Sequence, residues 1–172
     1  EQTGVLFDAD NTKGKVKVSR IDGYIMSPNQ KNILLRTQTQ SIYRHSTTAV
    51  YYIYNVQNRT LAPLSDGGPQ ECPLWSPDGN MVGFVREGNL FLVKLLFDNA
   101  EVQITKDGKF NSIINGKADW VYEEEFVTNR SFDFNADATM LAWIRYDESQ
   151  VPLCSFPMYK GMLPEMKENA EY

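Results

Sequence analysis

Three consecutive carboxylates, Glu123, Glu124 and Glu125, are the residues of this sequence best suited to binding or catalysis. They end the run Asp-Trp-Val-Tyr-Glu-Glu-Glu at residues 119–125, in the middle of an otherwise strand-rich chain. Adjacent carboxylates repel one another, so such a cluster is tolerated best where a cation lies opposite it. The run is therefore either a solvated acidic turn or a site that receives a positive charge.

A short helix would present these acids together. Asp119 can cap such a helix, because its side chain accepts a hydrogen bond from a backbone N–H of the first turn. Glu124 then lies one turn after Trp120. On that helix Glu124 and Glu125 point about 100° apart, and side chains of this length can converge on one cation.

The composition excludes some classes of partner. The 172 residues carry 22 Asp and Glu against 17 Lys and Arg, a net charge of −5 without any basic run, so we expect no nucleic-acid partner. Cys72 and Cys154 lack a metal-type spacing, and no loop has the spacing of a calcium site, so we predict no metal and no cofactor. Because the chain begins at Glu1 within sequence that has the pattern of a folded domain, we expect it to be a piece of a larger protein.

A repeated pattern indicates the architecture. Each copy is a short apolar strand, a turn of the Ser-Pro-Asn or Ser-Pro-Asp kind, and a second strand that ends in Arg. The copies are residues 22–36, 73–86 and 131–145. In the turn, Pro fixes φ and the Asn or Asp side chain supplies a local hydrogen bond; the third copy has Ala136 in place of Pro.

The spacing of the copies predicts a β-propeller. The turn recurs at positions 28, 77 and 136, intervals of 49 and 59 residues, and two more strand patterns follow each of the first two copies. Four short antiparallel strands per period of this length are typical of a propeller blade, whereas an immunoglobulin-like sandwich has no such period. The predicted fold class is all-β: an incomplete β-propeller of about three four-stranded antiparallel blades, with a short helical insertion that carries the Glu motif.

The predicted partial propeller spans residues 1–172. Its parts are a remnant of a preceding blade at 1–20 (strands at 4–8 and 15–19), blades at 21–66 and 70–108, an insertion at 109–130 and a partial blade at 131–160. Closed propellers have at least four blades, so this chain exposes faces that neighbouring blades normally cover. We expect it to form a homo-oligomer or to be marginally stable alone; sedimentation as a monomer that unfolds cooperatively would contradict this.

Strand direction places Arg44 near the acids. In an antiparallel blade, the connection between the second and third strands leaves the sheet at the same end as the connection to the next blade. The connection between the second and third strands of the first predicted blade is residues 41–47, which contain Arg44. The connection from the second blade to the third is residues 106–130. It contains the three acids and accounts for the ten extra residues of the second repeat interval. We therefore expect Arg44 to lie beside Glu124 and Glu125. The alternative is that all three are surface charges without a shared task.

These residues together resemble the N-terminal propeller of the dipeptidyl peptidase IV family. The resemblance rests on the seven-residue Glu motif, on Arg44-His45-Ser46 before it, and on a Val-Pro-Leu strand at 151–153 after it. It runs through nearly the whole chain, and the Glu motif is highly specific, whereas the Ser-Pro-Asp turns would fit many propellers. The pair Phe126-Val127 after the acids departs from the family pattern in its order.

The resemblance implies roles for specific residues. Glu124 and Glu125 would bind the protonated amino terminus of a peptide, and Arg44 would engage the carbonyl of its penultimate residue; Glu123 is not usually assigned to the amine. The implied parent is a serine peptidase that releases N-terminal X-Pro or X-Ala dipeptides, commonly as a dimer, outside the cytoplasm (periplasmic, secreted or at the cell surface). Its catalytic triad would belong to a C-terminal α/β-hydrolase domain that this sequence lacks, so the chain alone should catalyse nothing.

Elementary chemistry supports the binding of a peptide amino terminus by two carboxylates, a site that we call the anchor. A peptide amino terminus has a pKa near 8 and is largely cationic at neutral pH, so two carboxylates select it over an acylated terminus. Two extended residues span roughly 7 Å, and a nucleophile held at that distance releases a dipeptide. His45 is the single histidine and no Gly-x-Ser-x-Gly is present, so we expect His45 to be a structural neighbour of Arg44. The alternatives are the propeller of a prolyl tripeptidyl peptidase, with the same anchor, and a non-catalytic propeller that binds proteins.

Overall fold

The structure, a computed structural model, describes residues 4–152 and the backbone of two later strands. Strands β1 to β8 are Gly23–Met26, Asn32–Ser41, Thr47–Asn55, Thr60–Pro63, Gln70–Trp75, Met81–Arg86, Asn89–Lys94 and Ala100–Gln103. Strands β9 to β14 are Ile113–Asn115, Phe132–Phe134, Leu141–Trp143, Arg145–Asp147, Cys154–Lys160 and Leu163–Asn169. A 3-10 turn covers Leu95–Phe97, and helix α1 covers Trp120–Phe126. The prediction of an all-β chain with a short helical insertion is confirmed.

Strands β1 to β8 form one open sheet rather than two separate blades. Its order is β1-β2-β3-β5-β6-β7-β8, and β4 pairs with β3. Strand β3 serves both blades, because residues 52–55 pair with β4 whereas Thr48 and Ala49 pair with the start of β5. Between these two stretches the fully buried side chain of Gln70 accepts the backbone N–H of Tyr51 at 2.9 Å. The sequence pattern does not predict this junction.

The three repeated turns share one set of hydrogen bonds. The carbonyl that opens each turn accepts the N–H three residues later, in the pairs Gln30 to Ser27 (2.9 Å), Gly79 to Ser76 (2.8 Å) and Ala138 to Asn135 (3.0 Å). All three donor residues have a left-handed backbone, with φ of 59°, 70° and 58°. In the third turn Asn135 takes the place of the serine, and its side-chain oxygen accepts the N–H of Met140 at 2.8 Å. The turn therefore forms without the proline.

A buried apolar cluster lies across the first two blades. Its members are Leu34, Ala49, Tyr51, Ile53, Leu64, Trp75, Val82, Phe84, Phe91 and Val93. The rings of Phe84 and Phe91 stack with centroids 5.4 Å apart, and the guanidinium of Arg86 lies 4.1 Å from the centroid of Phe91. Phe132 of the third blade packs against the second blade, so closely that a Cβ on Gly83 would lie 2.7 Å from its ring.

The segment before β1 contains no strand within the described residues, so the predicted strands of the blade remnant, at 4–8 and 15–19, are wrong. The side chain of Asp8 accepts the N–H of Asp10 at 3.0 Å and forms a local turn. Three apolar residues of the segment, Phe7, Val16 and Val18, instead pack on the first blade in a second buried cluster, in which Phe7 meets Tyr54 edge-on at 5.0 Å. Packing rather than strand pairing explains their apolar pattern.

The Glu motif lies on an excursion from the middle of a strand. Strand β9 pairs with β12 and strand β10 pairs with β11, and only Ile144 separates β11 from β12. The N–H of Ile144 donates to the carbonyl of Ser131 at 2.8 Å, and its carbonyl accepts the N–H of Gly116 at 3.1 Å. Gly116 and Ser131 thus share one position of the ladder, and residues 117–130 leave the sheet between them. The third blade begins at Ile113, so the expectation that it begins near Ser131 is wrong.

The end of the chain differs from the expected strand at 151–153. Val151 and Pro152 lie outside any strand, and Leu153 lies outside the described residues. Strands β13 and β14 pair with each other in an antiparallel hairpin.

The turn at Asp78 should make stability depend on pH. The hydroxyl of Ser76 donates to the Asp78 carboxylate at 2.5 Å, and this bond lowers the pKa of Asp78 below its ordinary value of about 3.9. A lowered folded-state pKa stabilises the fold above the unfolded-state pKa, and that stabilisation is lost as the pH falls through the folded-state value. We expect Asp78→Asn to flatten the decline in the free energy of unfolding between pH 5.5 and 3, measured by urea titration.

Asp66→Asn is the matched control for this test, because Asp66 is exposed and accepts no hydrogen bond within the described residues. The interpretation fails if wild type, Asp78→Asn and Asp66→Asn show the same pH dependence.

Candidate functional site

Helix α1 stands on an excursion, residues 117–130, whose two ends meet at one point of the sheet. The N–H of Ser131 donates to the carbonyl of Gly116 at 3.0 Å, and Lys117 and Arg130 form an antiparallel bridge next to it. Gly116 has φ of 77°, a conformation that is strained for a residue with a Cβ. The neck of the excursion is therefore closed by backbone pairing. Glycine is favoured at position 116, because a Cβ there would also lie 3.2 Å from the side chain of Leu90.

The sequence sets both ends of α1. The Asp119 side chain accepts the N–H of Tyr122 at 2.7 Å, which confirms the predicted cap. The helix ends where Val127 adopts the left-handed conformation, with φ of 53°. The ring of Tyr122 contacts Phe126 on its own helix and Tyr146 of β12, at 5.2 and 5.1 Å between centroids. The contact with Tyr146 attaches the helix to the third blade.

The three acids of the motif occupy three different environments. Glu123 is buried, with 1% of its surface exposed. The side chain of Glu124 is 19% exposed, and it faces Arg44. Glu125 is exposed, and its side chain makes no hydrogen bond or ion pair within the described part of the chain.

Arg44 lies at the tip of the tight connection between β2 and β3. We call residues 42–46 the Arg44 loop. Its ends are closed by the N–H of Ile42, which donates to the carbonyl of Ser46 at 3.0 Å, and by the N–H of Tyr43, which donates to the Ser46 hydroxyl at 3.2 Å. This closure turns Arg44 and His45 outward, and both are exposed.

The structure brings Arg44 to Glu124, as strand direction predicts. Nε of Arg44 lies 3.0 Å from one carboxylate oxygen of Glu124 and 3.3 Å from the other. The Arg44 side chain is 71% exposed, and an ion pair this open to solvent contributes about 0.2–1 kcal/mol to stability. The pair shows that the two groups share a surface, but it is too weak to hold the loop in place.

The residue that holds the loop is Glu123, which the sequence reasoning left without a role. One of its carboxylate oxygens accepts the N–H of His45 at 2.6 Å and the N–H of Ser46 at 2.8 Å. Hydrogen bonds to a charged group contribute about 1.5–3 kcal/mol each, so this contact outweighs the exposed ion pair. The family resemblance sets Glu123 apart from the amine, but the sequence does not predict its burial, because that burial depends on a loop 77 and 78 positions earlier in the chain.

Asn129 holds the opposite side of the same loop. Its side-chain nitrogen donates to the carbonyl of His45 at 3.0 Å. Its own carbonyl accepts the thiol of Cys72 at 3.0 Å. Burial, and next the charge of Glu71, raise the pKa of Cys72 to about 12, so this thiol stays protonated at neutral pH and remains a donor. Cys72 is a free cysteine, and it acts here as part of the scaffold.

A cleft of about 560 Å³ lies behind the site. Its lining includes Ile42 and Tyr43 of the Arg44 loop, Asp119 at the start of α1, and the ion pair of Lys117 with Glu71, whose charged atoms are 2.8 Å apart. Glu124 and Glu125 do not line it. Across the residues that the structure describes, no group of three or more His, Cys, Asp or Glu side chains is placed to hold a metal ion. No helix in the described ranges is long and apolar enough to cross a membrane.

Comparison with known proteins identifies the family. The model of the "Dipeptidyl peptidase IV (DPP IV) N-terminal region" matches residues 27–172. This chain belongs to that family. The crystal structure of Porphyromonas gingivalis dipeptidyl peptidase 4 is 42% identical in sequence and superposes with a TM-score of 0.88, covering 95% of this chain and 23% of that one. Together with the open sheets, this match confirms the predicted resemblance and the incomplete propeller.

The curated relatives are much longer than this chain. Probable dipeptidyl-aminopeptidase B of Aspergillus fumigatus is 40% identical over 136 residues, which are 77% of this chain and 14% of the relative. Probable dipeptidyl peptidase 4 of the same species is 37% identical over 140 residues, which are 79% of this chain and 18% of the relative. The chain thus spans less than a fifth of the length of these two relatives.

The cap at Asp119 should be worth a measurable amount of stability. Removing it by Asp119→Ala leaves the N–H of Tyr122 without its acceptor and should cost about 1 kcal/mol. Hydrogen exchange monitored by mass spectrometry should show faster exchange in residues 120–126 of this variant. Asp119→Asn retains a capping oxygen and is the matched control; equal exchange in wild type, Asp119→Ala and Asp119→Asn would show that the cap contributes nothing.

Proposed function

We propose that this chain is the substrate-anchoring part of a dipeptidyl aminopeptidase, in which Glu124 and Glu125 bind the protonated amino terminus of a peptide. The observation that carries the proposal is that, of the two adjacent carboxylates of Glu124 and Glu125, only that of Glu124 has a guanidinium beside it in the described part of the chain. Arg44 lies 3.0 Å from Glu124, and Glu125 has no cation beside it within the described residues. The local charge is therefore negative, which suits an incoming ammonium group.

The division of work among the acids supports this assignment. Glu123 is committed to backbone N–H groups, so Glu124 and Glu125 are the carboxylates that a ligand can reach. An ammonium group has three donors, enough to bond both carboxylates at once. Arg44 uses Nε for Glu124, and its Nη donors can meet a backbone carbonyl of the same peptide.

Binding the amino terminus explains how such a protein selects and measures its substrate. An acylated terminus has no charge, so it loses contacts worth about 1.5–3 kcal/mol each. A nucleophile roughly 7 Å from the anchor then faces the bond that follows the second residue. In this proposal the nucleophile is a serine in an α/β-hydrolase domain of the parent protein, and the products are X-Pro and X-Ala dipeptides.

The proposal extends to the setting of the parent protein. The names of the relatives, dipeptidyl-aminopeptidase B and dipeptidyl peptidase 4, support a peptidase of this class. The chain alone carries the anchor without a serine nucleophile, and we expect it to be inactive. We also propose that the parent is a homo-oligomer that acts outside the cytoplasm.

The anchor can be tested in the full-length parent protein with Glu124→Gln and Glu125→Gln. Each change replaces a charge-assisted contact with a neutral one, so kcat/KM for a free X-Pro substrate should fall roughly ten- to a hundredfold. Asp98→Asn is the control for removing one negative charge, because Asp98 is exposed, lies in the turn between β7 and β8, and has the left-handed backbone that Asn tolerates.

Two results would count against the anchor. Unchanged kcat/KM in both glutamine variants would remove the role of the carboxylates. Equal hydrolysis of N-acetylated and free peptides by the wild-type parent would show that no charged amino terminus is recognised.

A further inference from the structure

We propose that Glu123 is a positioning residue that holds the Arg44 loop in register with helix α1, and so places Arg44 beside the substrate anchor. The structural part of this inference stands on hydrogen bonds alone. Only its kinetic consequence rests on the proposed function.

Two consecutive N–H groups of the loop converge on one oxygen of Glu123. The donors are His45 at 2.6 Å and Ser46 at 2.8 Å, and the Glu123 side chain is buried. An acceptor shared by neighbouring N–H groups restricts the backbone on both sides of the peptide that joins them. The N–H of His45 belongs to the peptide unit that follows Arg44. The direction in which the Arg44 side chain leaves the loop therefore depends on Glu123.

The peptide that joins His45 and Ser46 is held from its other side. The carbonyl of His45 accepts the side-chain N–H of Asn129 at 3.0 Å. Glu123 lies on the outgoing half of the excursion and Asn129 on its return, so both partners of His45 come from the same excursion of the third blade. The Arg44 loop belongs to the first blade. The excursion therefore clamps a loop from another blade by its backbone, independently of the side chain at position 44.

The exposed ion pair cannot perform this task. Solvent competes for both charges of the Arg44–Glu124 pair, and pairs of this kind contribute little to stability. Loss of Glu123, in contrast, leaves the N–H of His45 and the buried N–H of Ser46 without their acceptor. The three adjacent acids thus divide into one that organises the site and two that face the ligand.

Hydrogen exchange in the full-length parent tests the clamp without reference to activity. In Glu123→Ala, the peptide that covers residues 42–46 should exchange at least tenfold faster than in wild type. Glu123→Gln retains an oxygen that accepts both N–H groups but loses the charge, so its protection should fall between that of wild type and that of Glu123→Ala. Gln70→Ala is the matched control, because Gln70 is also fully buried and accepts a backbone N–H, that of Tyr51, in the junction of the first two blades. It should leave residues 42–46 unchanged.

Kinetics test whether the clamp acts through Arg44. Glu123→Ala should lower kcat/KM for a free X-Pro substrate about as much as Arg44→Ala does, and the double variant should be no worse than Arg44→Ala alone. Gln70→Ala combined with Arg44→Ala should instead be additive, because the control changes general stability only. If Glu123→Ala does not fold, Glu123→Asp withdraws the carboxylate by one methylene and serves in its place.

Three outcomes overturn the inference. They are unchanged exchange at residues 42–46 in Glu123→Ala, a Glu123→Gln variant as unprotected as Glu123→Ala, and full additivity of Glu123→Ala with Arg44→Ala. Failure of the proposed function is distinguishable, because Glu124→Gln would then leave turnover unchanged while the exchange result still decides the clamp.

Discussion

A buried carboxylate connects the two parts of this chain that form the candidate site. Glu123 accepts two backbone N–H groups of the Arg44 loop, which lies almost 80 positions earlier in the sequence. Within the described residues the first and third blades have no direct strand pairing, so the sheet alone does not set the distance between the loop and the helix. That distance is set by Glu123 and Asn129. The proximity of Arg44 to Glu124 is a consequence of this contact rather than its cause.

Much of the site follows from local chemistry in the sequence. Asp119 caps the helix as its position before the aromatic-acidic run predicts, and strand direction correctly places Arg44 on the same end of the propeller as Glu124. Both inferences need only the chain near the residue, or the alternation of antiparallel strands. The burial of Glu123 cannot be inferred in this way, since three adjacent glutamates have the same local sequence and differ only in what lies opposite them.

Long-range pairing accounts for the other differences. Residues 113–115 form the first half of a strand that resumes at Phe132. The two halves are recognised as one strand because they pair with β12 and β11, which follow one another in the chain with one residue between them. Residues 4–8 have an apolar pattern that suits a strand, but Phe7 packs against the first blade as a single side chain, and Val5 and Leu6 are exposed. Strand β3 pairs with both β4 and β5, and so makes two repeats into one sheet. In each case the sequence pattern is local, whereas the segment that pairs or packs with it lies elsewhere in the chain.

The shared ladder position of Gly116 and Ser131 separates the helical excursion from the strand that carries it. Ile144 of the partner strand bonds both of them, so the strands on either side keep their register whatever the length of the segment between Gly116 and Ser131. The register of the third blade therefore does not depend on the length of this segment, which is joined to the sheet by the side chains of Lys117 and Tyr122 and by the carbonyl of Asn129. The neck between Gly116 and Ser131 is therefore a point at which another segment could be grafted without a change in the pairing of the strands.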